Sequence, residues 1–280
     1  MAIKKRRRAA TSPIDKANDK SDAEFIKDYL EPEVPGLTPW RKEWTHPKSG
    51  QKYRLSLARP AELGDEDLEA CYRLIEETSR ADYEGSAMKW RPEHKRKEMR
   101  SPELRYIIVR EEATAETPAE VPAKPPAEVP ASSDIDSIQE NVIREKGPDN
   151  NNSAGNEDAE TTTTPSLPSI ASTIRAFTSL MPVYEEGEPV VYCYEIHLSP
   201  SLQGSGLGHL LLGFQSIVAH NLGPPVSKVM LTCFLSNARA LKFYERQGFV
   251  TDPLAPTTRR LRGGKMFVPD YTILSKPVVR

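Results

Sequence analysis

Three stretches of this sequence carry residue types that can do chemistry. The first is Gln203-Gly204-Ser205-Gly206-Leu207-Gly208. Glycines let a backbone approach a ligand closely, and the unpaired amides at a helix start attract anions. A pyrophosphate is the natural occupant. The motif is not a P-loop, because no Lys-Ser/Thr pair follows Gly208. A dinucleotide fingerprint would need glycine where Leu211 stands. The second stretch is Tyr192-Cys193-Tyr194-Glu195-Ile196-His197-Leu198, which runs into that turn. Period-2 alternation puts Cys193, Glu195 and His197 on one face and Tyr192, Tyr194, Ile196 and Leu198 on the other, unless a bulge breaks the register. A glutamate in so apolar a strand is expensive to bury unpaired. Desolvation would raise its pKa and suit it to proton abstraction; a neighbouring Lys or Arg would instead make it half of an ion pair. Cys193 has no His-carboxylate partner at a useful spacing and reads as a buried strand residue. The third stretch, Asn237 to Phe249, is an amphipathic helix with Asn237 as its cap and Gly248 as its stop. Taken alone, it is a structural helix packed on a sheet.

The elements that must position these residues follow from periodicity. Helices are expected over 21–30, with Ser21 as cap, over 63–79, after Pro92 to 99, over 206–221 and over 237–247. Strands are expected over 53–57, 104–109, 173–181, 189–198, 226–234, 249–251 and 268–274, with Glu186-Gly187 turning the third into the fourth. This order predicts one α/β domain, a mixed sheet with helices on its faces.

Charge divides the chain further. Residues 111–170 hold 13 acidic and 3 basic side chains, eight prolines and no aromatic, against a net charge of -2 for the whole. Such a stretch buries too little apolar area to offset its ordering entropy. A disordered acidic, proline-rich insert is therefore expected at 112–170, inside a single domain spanning 21–280. It lies between two adjacent strands, as a long hairpin loop. Residues 1–20 are expected to be a disordered basic tail. Its cluster Lys4 to Arg8 could address import machinery or be a solvated tail. Without that tail the remaining charge is too small for a strongly basic nucleic-acid-binding domain, so no direct nucleic-acid reading is expected. No run approaches the ~18 apolar residues of a membrane span, so no membrane is expected. The basic start has no apolar stretch behind it, unlike a secretory signal, and Ala2 is not the glycine of a myristoylation site. Cys71, Cys193 and Cys233 are odd in number and far apart, which fits a reducing compartment rather than a disulfide framework or a CxxC zinc pair.

Strand, Gln-x-x-Gly-x-Gly, helix, strand and then Asn…Phe-Tyr…Gly-Phe together resemble the GNAT superfamily of acetyl-CoA-dependent acetyltransferases. The resemblance implies helices on both faces of a central mixed β-sheet and acetyl-CoA as co-substrate, with no metal. It implies that the glycine-rich turn holds the coenzyme pyrophosphate and that the preceding strand splays from the next to admit the thioester. Leu198, by its backbone, and Gln203, Gly204, Ser205, Gly206, Leu207 and Gly208 would bind the coenzyme. Asn237 would lie near its tail, and Tyr244 near its sulfur as the candidate acid for the departing thiolate.

Further likeness extends over residues 20–110 and 172–276. Val191 to Glu195, Lys228 to Thr232, Tyr83 with Trp90 seven residues on, Lys95 to Met99 and Tyr271 to Ser275 resemble the NatD group within that superfamily, which acetylates the α-amine of histones H4 and H2A. That implies histone tails beginning Ser-Gly-Arg-Gly as partners, and a protein of nucleus and cytoplasm. It makes Glu195 the carboxylate that helps deprotonate the α-ammonium through water. It places Tyr83, Trp90, Tyr192, Tyr194, Thr232 and Tyr271 along the peptide channel. Where the group has an aspartate for the substrate arginine, a gapless alignment gives Val183; Glu185 or Glu186 would take over if the hairpin register differs. The insert has no counterpart in the group's short hairpin. Other readings are acetylation of a lysine side chain or small amine, and a catalytically weak module that senses acetyl-CoA.

Overall fold

Antiparallel pairing with one parallel seam makes the frame of the molecule. The computed structural model describes residues 12–112 and 173–280. Lys4 to Arg8 and nearly all of the acidic segment lie outside the described residues. Ten strands are described: β1 (Glu43–Thr45), β2 (Lys52–Ala58), β3 (Arg105–Glu111), β4 (Ile174–Glu185), β5 (Glu188–Leu198), β6 (Lys228–Phe234), β7 (Val250–Thr251), β8 (Arg259–Arg260), β9 (Met266–Phe267) and β10 (Tyr271–Pro277). Eight of them form one mixed sheet in the order β1-β2-β3-β4-β5-β6-β10-β7, while β8 and β9 make a separate hairpin. Among the described strands, only β5 and β6 pair in parallel. A parallel pair needs a crossover, and the crossover here is α5 (Leu207–Asn221). The sequence-derived α/β class, with a mixed sheet and helices on both faces, describes this architecture.

Two apolar layers cover the sheet. On one side, α5 buries Leu207, Leu211, Phe214, Ile217 and Val218. It is apolar nearly all round because the N-terminal segment packs on its outer side: Asn221 Nδ2 donates to the carbonyls of Tyr29 (3.1 Å) and Pro32 (3.0 Å). On the other side, α3 (Asp65–Gly85) buries Leu68, Cys71, Leu74 and Ile75, and α4 (Pro92–Met99) buries Lys95 and Met99. The helix α3 runs six residues beyond the expected end at 79.

The N-terminal boundary needs correction. Residues 13–19 form α1 (Pro13–Asp19), with a capping box between Ser12 and Asp15, rather than disordered tail. Ile14 and Ala17 are buried in the core, and a fully buried isoleucine is worth about 1.5–3 kcal/mol. The helix end is held from inside the sheet. Arg105, 1% exposed, donates to the carbonyls of Ala17 (3.1 Å) and Lys20 (2.6 Å) and pairs with Asp22. Burial pushes this guanidinium down to about 10. No local pattern in 12–20 announces a partner some 85 residues away. The next helix, α2 (Asp22–Phe25), starts at the expected Ser21 cap and continues as a wider turn over Ile26–Leu30.

Strands β3 and β4 are adjacent and antiparallel, with Val109 opposite Ala176, so the acidic segment does join neighbouring strands. Glu112, assigned to that insert, still belongs to the sheet edge: its N–H donates to the Lys52 carbonyl at 3.0 Å. Strand β4 runs to Glu185, past the expected end at 181, and Glu186 (φ 45°) with Gly187 (φ 85°) makes the tight turn into β5. β10 starts at Tyr271 rather than 268.

Candidate active site

The site begins where two strands part. The parallel pairing of β5 with β6 covers only Val191 to Cys193 against Val229 to Leu231. Beyond it, Tyr194 to Leu198 and Thr232 to Phe234 diverge and leave a wedge between them. At its apex the Tyr192 hydroxyl meets Thr232 Oγ1 at 2.6 Å.

A bulge in β5 coincides with the parting. Ser179 pairs with Glu195, but Leu180 pairs with Cys193, so Tyr194 is the extra residue. The expected alternation is thereby corrected. Cys193 packs in the α5 layer, whereas Glu195 and His197 meet groups from α4 and α3 on the opposite side. Burial pushes the Cys193 thiol up to about 11, so it is no nucleophile.

Glu195 is 10% exposed and bound at both oxygens. Oε1 accepts from Lys95 Nζ at 2.9 Å, and Oε2 meets His197 Nε2 at 2.6 Å. Behind it, His197 Nδ1 stands 2.5 Å from Thr78 Oγ1, whose hydroxyl donates back to the Leu74 carbonyl at 2.7 Å. Burial acts to raise the Glu195 carboxyl, but Lys95 and His197 outweigh it and hold the group down to about 2. Of the two readings open for a glutamate in this strand, a raised pKa or an ion pair with a nearby Lys or Arg, the structure shows the ion pair, made with Lys95. Lys95 is shared with Glu98 Oε1 at 3.0 Å and lies 5.0 Å from the centre of the Tyr83 ring. Desolvation would lower its pKa, but the neighbouring carboxylates raise it and keep the ammonium charged.

A cavity of about 1290 Å³ fills the wedge and opens along the sheet's end. Its volume exceeds the ~300–1,000 Å³ of a pocket for one small ligand, leaving room for two reactants. Aromatic groups wall one end: Tyr83 sits edge-on to Trp90 (5.4 Å) and Phe234 (4.8 Å), and Tyr192 packs on Tyr194 (5.1 Å). Glu98 and Glu185 line this end as well. Burial and Glu186 beside it raise the Glu185 carboxyl above its ordinary value, so a cationic partner there would be needed to favour its ionised form. Val183, like Trp90 and Tyr194, packs against the α3 layer and brings no charge to this end.

The other end is the glycine turn. Gly204 (φ 76°) and Gly206 (φ 92°) both sit in the left-handed region, which side chains disfavour. The Gln203 side chain closes the loop by donating to the Leu198 carbonyl at 3.1 Å. Gly208 permits close helix contact, since a Cβ there would lie 3.1 Å from Phe243 Cζ. The first amides of α5 have no acceptor within the helix, and His209, Arg239 and Arg246 line the same end of the cavity. Helix-start amides, bare backbone and the guanidinium groups of Arg239 and Arg246 fit an elongated polyanion such as the pyrophosphate of coenzyme A. Among the described residues, no group of three or more His, Cys, Asp or Glu is placed to hold a metal ion, and no helix is long and apolar enough to cross a membrane.

The cavity wall thus gathers Tyr83, Trp90, Glu185, Tyr192, Tyr194, Glu195, Leu198, Thr232 and Tyr244, with Gln203, Gly204, Gly206, Gly208 and Asn237. Three expected residues are not on it. Leu207 is buried in the core beneath the turn. Ser205 turns its hydroxyl to the Leu202 carbonyl at 2.6 Å. Tyr271 opens β10 opposite Phe234. Asn237 also has structural duties: it caps α6 (Ala238–Arg246) by accepting from the Ala240 amide (3.0 Å), and donates to Asp82 (3.2 Å). Tyr244 projects from α6, 8% exposed, and burial raises its phenol well above the ordinary value.

Motif and spacing alone do not single out Lys95, His197 or Thr78. A signal existed for two of them. Lys95 stands four residues before Met99, on the helix face that Met99 buries, and Thr78 continues the stripe of Cys71, Leu74 and Ile75.

A sheet opened at one parallel seam, with a glycine turn at one end of the gap and a buried glutamate on its wall, offers room for an anionic ligand beside a carboxylate. Residues 157–249, about a third of the chain, match the model of the Acetyltransferase (GNAT) family. A similar protein is N-alpha-acetyltransferase 40 of Saccharomyces cerevisiae, 33% identical over 105 residues, which are 31% of this chain and 35% of that protein. The chain spans about a third of the length of that curated relative. Among solved structures, Arabidopsis thaliana NAA60 with a bisubstrate analogue aligns over 80% of this chain and 99% of its own, at 10% identity and a TM-score of 0.43. The ribosomal-protein-S18-alanine N-acetyltransferase of Escherichia coli aligns over 81% of this chain and 95% of its own, at 16% identity and a TM-score of 0.36.

Proposed function

We propose that this protein transfers the acetyl group of acetyl-CoA to the α-amine of a peptide N-terminus. The observation that carries this reading is the wedge between β5 and β6, with Glu195 on its wall and the glycine turn at one end. Gly204, Gly206, Gly208 and the first amides of α5 would hold the coenzyme, with His209, Arg239 and Arg246 beside them. Acetyl-CoA supplies the activated acyl carbonyl.

The chain's own residues do the rest. An α-amine with a pKa of ~7.7–8.0 is largely protonated at neutral pH. Glu195, held ionised, accepts a hydrogen bond from that ammonium and takes its proton, directly or through water. A carboxylate already bound to two partners keeps its orientation, which favours a fixed near-attack geometry. A backbone amide of the splayed strand can polarise the acyl oxygen. Tyr244, kept protonated by burial, supplies a proton to the departing sulfur.

The acceptor we infer is a basic histone-like terminus, Ser-Gly-Arg-Gly, as in histones H4 and H2A. Glu98 and Glu185 at the aromatic end of the cavity support it, since an arginine side chain there would meet carboxylates. Glu185 takes the part that Val183 cannot. Likeness to the yeast N-alpha-acetyltransferase supports an α-amine over a lysine. Lys4 to Arg8 support import, and so work in both nucleus and cytoplasm.

Two Ser-Gly-Arg-Gly peptides that also contain a lysine test the reading, one with a free and one with a blocked α-amine. Transfer to the free terminus alone is expected. Equal transfer to the blocked peptide would make the protein a lysine acetyltransferase instead. Replacing the third-position arginine by alanine should raise KM with little change in kcat.

A further inference from the structure

The Tyr194 bulge decides which side of the sheet Glu195 faces, and two polar groups buried behind the sheet hold it. Thr178 Oγ1 donates to the Glu195 carbonyl at 2.8 Å, and Gln215 Nε2 donates to Thr178 Oγ1 at 2.7 Å. Thr178 and Gln215 are both fully buried, one on β4 and one on α5. Thr178 pairs with Ile196, next to the point where the register shifts. Neither residue lines the cavity.

The polarity of this chain is fixed. A threonine hydroxyl has a single proton. Here that proton is on the Glu195 carbonyl, so the hydroxyl oxygen must accept from Gln215. Turning the Gln215 amide over would put its oxygen on Thr178, draw the hydroxyl proton away and leave the Glu195 carbonyl without this donor. In the orientation observed, Gln215 Oε1 is buried with no partner. An apolar residue on this helix would avoid that penalty. The unpartnered oxygen is what remains when the amide N–H is committed to one acceptor.

We propose that Thr178 and Gln215 are positioning residues for Glu195. They hold its carbonyl, fix the bulge and so deliver the carboxylate to Lys95 and His197. Without them β5 can return to regular alternation, in which Glu195 shares a face with Cys193 beneath α5, away from Lys95. The inference rests on Glu195 being the base of the reaction proposed above.

The test compares Thr178→Val, Gln215→Met, Thr178→Ser and Glu195→Gln in the full chain, measuring kcat, peptide KM and the Kd for acetyl-CoA. Thr178→Val and Gln215→Met should lower kcat by roughly 10²-fold, the scale for a catalytic group misplaced by about 1 Å. Their coenzyme Kd should stay at the parent value, and Thr178→Ser, which keeps the hydroxyl, should restore turnover. Should Thr178→Val fail to fold, Gln215→Met carries the comparison. Parent-like kcat in a folded Gln215→Met or Thr178→Val, with Glu195→Gln inactive, overturns the positioning role and leaves the base in place. Loss of coenzyme affinity in step with turnover overturns it too, as a general packing effect. Full activity in Glu195→Gln removes the base reading and this inference with it.

Discussion

Lys95 Nζ stands 2.9 Å from Glu195 Oε1 and 3.0 Å from Glu98 Oε1, so one buried ammonium ties the bulged strand β5 to helix α4. This contact changes what kind of base Glu195 can be. A buried carboxylate alone would be pushed toward neutrality. Lys95 and His197 instead keep it ionised, down to about 2. Its task is to receive a proton in a fixed place rather than to store one.

Replacing Lys95 with methionine should therefore show in the pH profile. Burial would then act on Glu195 with less opposition, and its carboxyl would rise from about 2 toward or above its ordinary value of 4.5. In the parent, protonation of Glu195 should leave no acid limb near neutral pH, where the α-amine's own ionisation governs the rate. In Lys95→Met an acid limb should move upward in pH. The sign for stability follows from the same shift. A carboxylate held below its ordinary value contributes stability that is present above 4.5 and fades as pH falls toward about 2. The parent should lose melting temperature over that window, and in the variant this acid loss should shrink or reverse. Profiles that superimpose would show that Lys95 does not set the state of Glu195.

Tyr244 gives a separable prediction. Tyr244→Phe keeps the ring in the core and removes only the hydroxyl. As a general acid its loss should lower kcat by roughly 10²–10⁴-fold at most, and the coenzyme Kd should hold. An unchanged kcat would mean that the departing sulfur takes its proton from water.

The glycine turn can be tested through its backbone. Gly206 has φ 92° at the threshold of α5. Gly206→Ala forces a Cβ into a conformation worth roughly 1–2 kcal/mol of strain, although nothing lies within 4 Å of the added atom. A lower melting temperature and weaker acetyl-CoA binding should appear together in calorimetry. Weaker binding with no thermal change would point to direct blockage of the ligand rather than strain.

What the sequence made legible follows the reach of each interaction. The turn Gln203 to Gly208, α5 and β6 rest on glycine placement and an apolar run, both local, and they lie where periodicity put them. The Glu186-Gly187 turn is likewise local chemistry. The bulge at Tyr194 was not legible as such, because Thr178 and Gln215 hold it from 17 positions before Glu195 and from the next helix. Lys95 was hidden among the charges of 91–100, where an ion-paired lysine reads like a solvated one. Helix α1 was lost for the same reason: Arg105, which accepts no local role in its strand, holds the helix end 85 residues back.

The most direct measurement is turnover of Glu195→Gln on a free Ser-Gly-Arg-Gly peptide, with acetyl-CoA binding followed alongside by calorimetry. The amide keeps the shape of the group and removes its ability to take a proton. Coenzyme affinity should stay close to the parent's and kcat should fall by roughly 10²–10⁴-fold. A kcat equal to the parent's, with the acetyl group still found on the α-amine, would contradict the role of Glu195 as base.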